Sequence, residues 1–345
     1  MSKSYLNKAL ESKIPDSTEI ELHLFEFCNL NCAFCGQDHD STVGMNLEAA
    51  IDKAKECVKF INNSEKDSHI INIMGGEIFN DQVPDHMFDA YSQFHQYITE
   101  NTTDKVRFNW VTNLIFGQFE RVDKFIRSHK DSYISTSYDF AGRGLNDFKA
   151  NLFSINLERF SDIITVIGFV LTKPAIRKIL RNKDEYFKYL YKNYTLYFDY
   201  YVPELKSASK LLPSEQEMLD AMVYVAHNYP KVYPVADLLQ NKSNQMTCYS
   251  LNKLTLLPDG KEVKCRYLTY DENDFETTPI DYSTNEFIIE SHLKRHDCFS
   301  CSWYERCQFR CFVQADWKDL ERLEDCMFRM FFEQMSQEEL LLNEQ

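Results

Sequence analysis

Regular structure begins at Glu19-Ile-Glu-Leu-His-Leu-Phe-Glu-Phe27, where apolar and polar residues alternate with the two-residue period of a strand. A polar lead-in over 1–18 precedes it. Similar runs at His69–Met74, Val106–Val111, Tyr133–Tyr138, Ile163–Leu171 and Thr195–Val202 predict five more strands. Segments with helical spacing, such as Asn46–Asn62 and Asp85–Thr99, lie between them. Strands that alternate with helices imply an α/β fold with a parallel sheet, and six such units suit a partial (β/α)6 barrel over 19–210. Ligands of such barrels gather at the C-terminal ends of the strands, so chemistry is expected just after each one.

Beyond the barrel, Pro213-Ser214-Glu215 reads as a helix start and Gln216–Asn228 as the helix of a connection spanning 211–245. Leu254-Thr-Leu-Leu-Pro-Asp-Gly-Lys-Glu-Val-Lys264 predicts a hairpin turning at Asp259-Gly260. Phe, Met and Leu recur at helical spacing from Met327 to Leu342, predicting a capping helix. Residues 246–345 then form a small cysteine-rich second domain.

With 345 residues, 44% hydrophobic and 14% aromatic, the chain can bury one large core, or one core and a satellite. A net charge of −15 and a pI near 5.1 argue against a nucleic acid or an anionic membrane as partner. No run resembles a signal peptide or a membrane span, so a soluble cytoplasmic protein is expected. In a reducing cytosol, eleven cysteines point to metal sites rather than disulfides.

Cys28-Asn-Leu-Asn-Cys32-Ala-Phe-Cys35 puts three thiolates in one short loop directly after the first strand. Three thiolates can hold three irons of a [4Fe–4S] cube and leave the fourth iron open to an outside ligand. Zinc would need a fourth protein ligand, for which His39 is the one close candidate. The C-x3-C-x2-C loop after strand one, with Phe34 before the last cysteine, resembles the radical S-adenosylmethionine (SAM) superfamily. That resemblance implies SAM on the open iron, reductive cleavage to a 5′-deoxyadenosyl radical, and hydrogen-atom abstraction from substrate.

Met74-Gly75-Gly76-Glu77 follows strand two, where the family carries its Gly-Gly-Glu segment. The resemblance implies glycine backbone close to the methionyl end of SAM, with Glu77 accepting from its ammonium group. Thr112-Asn113 and Ser137-Tyr138-Asp139 stand where related enzymes have Thr-Asn-Gly and Ser-x-Asp-Gly, with Leu114 and Phe140 in place of the family's glycines. Asn113, Ser137 and Asp139 are thereby candidate SAM contacts or plain strand-end caps. Phe34 and Tyr138 are candidates to flank adenine or to fill the core. Arg143 and Thr172 are weaker candidates of the same kind.

The C-terminal third carries Cys248, Cys265 in a Gly260-x4-Cys pattern, and then Cys298-x2-Cys301-x5-Cys307-x3-Cys311-x14-Cys326. Seven cysteines are too many for one zinc and one short of two four-thiolate sites. The spacing resembles the SPASM extension of radical SAM enzymes, which carries two auxiliary [4Fe–4S] clusters. Family pairing would give Cys298, Cys301, Cys307 and Cys326 to one cluster. Cys248, Cys265 and Cys311 would hold the other, with Asp, His, water or substrate as its fourth ligand. Cys57 lies within a helix pattern and reads as a core thiol.

SPASM enzymes modify peptides, sulfatase residues and some small molecules. The leading reading is therefore a maturase that oxidises or cross-links a peptide side chain; the alternative is the same chemistry on a small metabolite. A third reading, a non-catalytic redox-sensing iron–sulfur protein, leaves the SAM segments without a purpose. Arg266 stands where sulfatase-maturing relatives tend to have an acid, which speaks against that activity. Only 27 residues precede Cys28, so a peptide leader would be recruited by a separate protein. Flavodoxin or ferredoxin is the expected reductant. Asp199, Glu204 and Tyr270 are weak catalytic candidates at the strand ends and loops, and no spacing singles out any histidine.

Overall fold

The computed structural model describes residues 17–138, 142–181, 184–201, 210–240, 253–263, 297–307 and 326–343. Strands β1 (Thr18–His23), β2 (Ser68–Met74), β3 (Lys105–Val111), β4 (Ser132–Tyr138), β5 (Ile164–Val170) and β6 (Leu196–Asp199) run parallel in sequential order. The crossovers are helices α1 (Leu47–Asn62), α2 (Asp85–Asn101), α3 (Phe119–Ser128) and α4 (Asp147–Arg159), with α5 (Lys173–Leu180) and α6 (Glu185–Asn193) between the last two strands. This is the partial (β/α)6 barrel that the alternation implies. After it come α7 (Glu215–Asn228), α8 (Val235–Leu239), the hairpin strands β7 (Lys253–Leu256) and β8 (Glu262–Val263), and α9 (Met327–Asn343).

The predicted strand limits agree closely except in the first strand and in the sixth, which ends at Asp199. The ladder of the first strand ends at His23, and beyond it Phe25 and Phe27 accept hydrogen bonds from Gly76 N and Glu77 N. The hairpin, expected within the cysteine-rich region, places β7 parallel to β1 and so extends the barrel sheet to eight strands. Asn46 caps α1 through Ala49 N at 2.8 Å, and Ser214 and Glu217 form a capping box on α7. No helix among the described residues is long and apolar enough to cross a membrane.

One side of the sheet is sealed. Ile20, Leu22, Ile71, Ile73, Phe108 and Trp110 point toward the helices and are buried, and Trp110 packs edge-on to Phe125 with ring centroids 4.9 Å apart. The alternate residues Glu19, Glu21, Asn72, Met74, Arg107 and Asn109 face the concave side and stay only partly buried. A closed eight-stranded barrel fills its interior with side chains. This open sheet leaves a water-accessible, polar lumen below the strand ends.

At the opposite end of the strands, Thr18 Oγ1 lies 2.5 Å from His69 Nδ1, and His69 Nε2 lies 3.1 Å from Asp104 Oδ2. Asp104 accepts from Nε2–H, which leaves Nδ1 to accept from Thr18. Thr18 and His69 are fully buried, so the trio joins β1, β2 and the approach to β3 and does not attack a substrate. Replacing His69 by Ala removes both bonds and opens a void. Stability measured by urea denaturation is expected to fall by about 2–4 kcal/mol.

Candidate iron–sulfur and SAM site

Cys28, Cys32 and Cys35 lie in a loop just past β1, and all three thiols are partly buried. The loop is fastened through its own backbone, with Cys28 N donating to His39 O at 3.0 Å and Ala33 N to Gly142 O at 2.8 Å. Asn29, which the cysteine spacing does not single out, is its principal anchor. Its Nδ2 donates to Ile115 O at 2.5 Å, its Oδ1 accepts from Asn113 Nδ2 at 2.9 Å, and its carbonyl accepts from Lys149 Nζ at 3.2 Å. Burial pushes the Cys28 thiol up to about 12, and nearby Arg143 opposes that rise.

Gly75 and Gly76 press against this loop. A Cβ on Gly76 would stand 2.1 Å from Phe27 O, and one on Gly75 would stand 2.6 Å from Phe25 O. The backbone of the cysteine loop therefore already requires both glycines. Glu77, expected to reach the methionyl ammonium, is fully enclosed. Its Oε1 accepts from Thr112 Oγ1 at 2.6 Å and Phe79 N at 3.0 Å, and its Oε2 accepts from Asn113 N at 2.5 Å. As placed, Glu77 and Asn113 brace the ends of β2 and β3 against Asn29.

Across the mouth, Arg143 Nη2 donates to Ser137 Oγ, while the buried Arg143 Nε and Nη1 have no partner among the described residues. Buried guanidinium donors with nothing to bind are costly, and an oxyanion such as a carboxylate is the kind of group that relieves that cost. Phe34 meets Tyr201 edge-on with centroids 6.0 Å apart, in a small apolar cluster with Val170, Leu211 and Leu212. A flat base would be received there by apolar walls. Tyr138 points the other way, into the core against Phe153, Phe169 and Tyr186. Thr172 caps α5. Leu114 adopts φ +59, the left-handed conformation that favours glycine, where the family segment carries one.

Of the second cysteine group, Cys298, Cys301, Cys307 and Cys326 line one cavity of about 240 Å³ together with Trp303, Arg329 and Phe332. Burial and the neighbouring thiols push the Cys298 thiol up, a cost that a metal-bound thiolate would not bear. Among the described residues, no three His, Cys, Asp or Glu side chains gather closely enough to hold a single metal ion. Cys248, Cys265, Cys311, Asp139, Glu204 and Tyr270 lie outside the described residues. Asp199 is exposed on the last residue of β6, and Cys57 is a fully buried core thiol.

One further group escapes sequence reasoning. His23, the last residue of β1, shares the concave face with Glu21, and its Nε2 lies 3.0 Å from Glu21 Oε1. Glu21 Oε2 is 2.8 Å from Lys253 Nζ on β7. An imidazole oriented by a carboxylate at a strand C-terminus has the form of an acid–base group. Only the side-chain alternation of β1 hints at it.

No family model matches the chain, and no curated protein matches it. Solved structures do. Native anSMEcpe with bound AdoMet and Cp18Cys peptide superposes with a TM-score of 0.66 at 17% identity, covering 92% of this chain and 95% of that one. A histidine-tagged form of anSMEcpe with bound AdoMet gives 0.67 at 16% identity with the same coverage. The chain therefore shares the anSMEcpe fold over nearly its whole length.

Two outcomes follow from the brace. Gly76→Ala forces a Cβ into backbone oxygens, so stability is expected to drop by about 3 kcal/mol and iron bound after reconstitution to fall by about four atoms per chain. Burial pushes the Glu77 carboxyl up to about 7 from 4.5, against its three donors and Arg143. A raised folded-state value means that the stability it contributes is full below pH 4.5 and declines as the pH rises through about 7. Urea midpoints measured across that window should show this decline, and Glu77→Gln should flatten it.

Proposed function

We propose that the protein is a radical SAM enzyme that modifies a peptide or protein side chain oxidatively. The carrying observation is the three-cysteine loop, braced against Gly75–Glu77 and faced by a buried Arg143 with unfilled donors. When bound, SAM and the cluster supply methionine and a 5′-deoxyadenosyl radical that abstracts hydrogen from substrate. Cys28, Cys32 and Cys35 would hold that cluster. Arg143 and Ser137 would bind the SAM carboxylate, and the Phe34–Tyr201 cluster would receive its adenine.

Residues 19–210 would form this catalytic domain, 211–245 the connection, and 246–345 a SPASM-like domain with two auxiliary [4Fe–4S] clusters. Cys298, Cys301, Cys307 and Cys326 would hold one of these and Cys248, Cys265 and Cys311 the other. His23, buried and oriented by Glu21, would take a proton from a substrate that reached it from the lumen. Likeness to a protein solved with Cp18Cys and Kp18Cys peptides supports a peptide as substrate over a small metabolite. Flavodoxin or ferredoxin would deliver the electron.

Anaerobic reconstitution followed by dithionite and SAM tests this reading. 5′-Deoxyadenosine should form, Cys32→Ala should abolish it, and iron should reach about twelve atoms per chain for three cubes. No 5′-deoxyadenosine above the Cys32→Ala level would overturn the catalytic assignment, and about four irons would overturn the auxiliary one.

A further inference from the structure

Charged side chains of the concave face stand on β1, β3 and β7, and most of them are held by a polar neighbour. Glu21 meets Lys253 and His23, and Glu19 accepts from Asn72 Nδ2 at 2.8 Å. Asn109 Nδ2 continues this line, donating to Asn72 Oδ1 at 2.8 Å and to Ser135 Oγ at 3.0 Å. Arg107 on β3 takes no part in these hydrogen bonds. Its neighbours in the strand, Val106 and Phe108, are buried on the helix side, so the Arg107 side chain lies on the concave side with Asn109.

The Arg107 guanidinium carbon sits 4.8 Å from the centroid of the Tyr133 ring, which lies beside Asn109 in the register of β3 and β4. Neither Arg107 nor the Tyr133 hydroxyl makes a hydrogen bond or ion pair with any described residue. Both are only partly buried, so solvent reaches them. A planar fork of N–H donors, held by stacking and flanked by a phenolic O–H, is shaped for an oxyanion. What sets Arg107 apart is its position, since it stands on the concave face of the sheet beside the Tyr133 ring.

We propose that Arg107 and Tyr133 form a luminal site for a carboxylate carried by the substrate, an inference that rests on the barrel being the substrate chamber. A single arginine near Glu19 and Glu21 suits one negative charge, and a phosphate dianion would meet more repulsion than attraction. At about 3.3 Å per residue, Arg107 lies roughly 13 Å below the end of β3 at Val111. A substrate anchored there would enter carboxylate first, with its reacting carbon several bonds away at the mouth. The C-terminal end of a peptide, or a small carboxylate of similar length, meets that requirement.

The test uses the full chain, purified anaerobically, and saturation-transfer NMR with N-acetyl-L-alanine and its carboxamide as probes. Wild type should bind the acid at millimolar concentration and not the amide. Arg107→Gln should weaken acid binding about ten- to a hundredfold, the loss of a charge-assisted pair. Tyr133→Phe keeps the ring under the guanidinium and should give a smaller loss, and near-ultraviolet circular dichroism checks that both variants are folded. Acid binding that is absent in wild type, unchanged in folded Arg107→Gln, or matched by the amide would overturn the site. This readout involves no SAM cleavage, so its failure is distinct from a failure to form 5′-deoxyadenosine.

Discussion

The mouth of the barrel depends on one buried carboxylate. Glu77 accepts a hydroxyl from Thr112 and backbone N–H groups from Phe79 and Asn113, and so ties the end of β2 to the end of β3. Asn113 then reaches Asn29, and Asn29 fixes the loop that carries Cys28, Cys32 and Cys35. An enclosed carboxylate is tolerable only with such a full set of donors. Precise thiol placement therefore comes from polar bonds anchored on the aromatic core, where Phe79 packs on Trp110 and Phe116 at 6.1 and 6.0 Å.

The sheet's two faces divide stability from chemistry. Helix-facing residues of β1, β2 and β3 are apolar and buried, and they fix the positions of the strands. The concave residues do not fill the barrel and so are free to be polar. They form two continuous groups, one linking Lys253, Glu21 and His23, the other linking Glu19, Asn72, Asn109 and Ser135. Paired groups of this kind hold one another in fixed rotamers, which keeps the concave face rigid.

Much of this is legible in the sequence for simple reasons. Strand alternation is strong in β1 to β4 because one face is sealed and the other wet, and it locates all six barrel strands within a few residues. The cysteine spacing singles out the loop after β1 because three thiols fall within eight residues there. Residue roles are less legible. Motifs record the positions of Glu77 and Asn113, whereas the bonds these residues make depend on which strand ends lie alongside them. Tyr138 resembles an adenine neighbour and is core, since the parity of a strand-end residue is set by register. Asn29 and Arg107 carry no spacing signal and His23 only the alternation of β1, and the folded sheet shows what faces them.

Leu114 shows how strongly that frame constrains its parts. It sits at φ +59, fully buried, directly after Asn113. A non-glycine residue in this region costs roughly 1–2 kcal/mol. The turn keeps the conformation because the Asn113 and Leu114 amides must point at Glu77 and at Thr112 Oγ1, and a relaxed backbone would release both. The Leu114 side chain contributes about 2–3 kcal/mol by burial, enough to offset the strain. A glycine would relieve the backbone and lose the packing. The same backbone can thus be held by either residue, and the geometry of the turn, rather than the identity of its glycine, is what the mouth of the barrel requires.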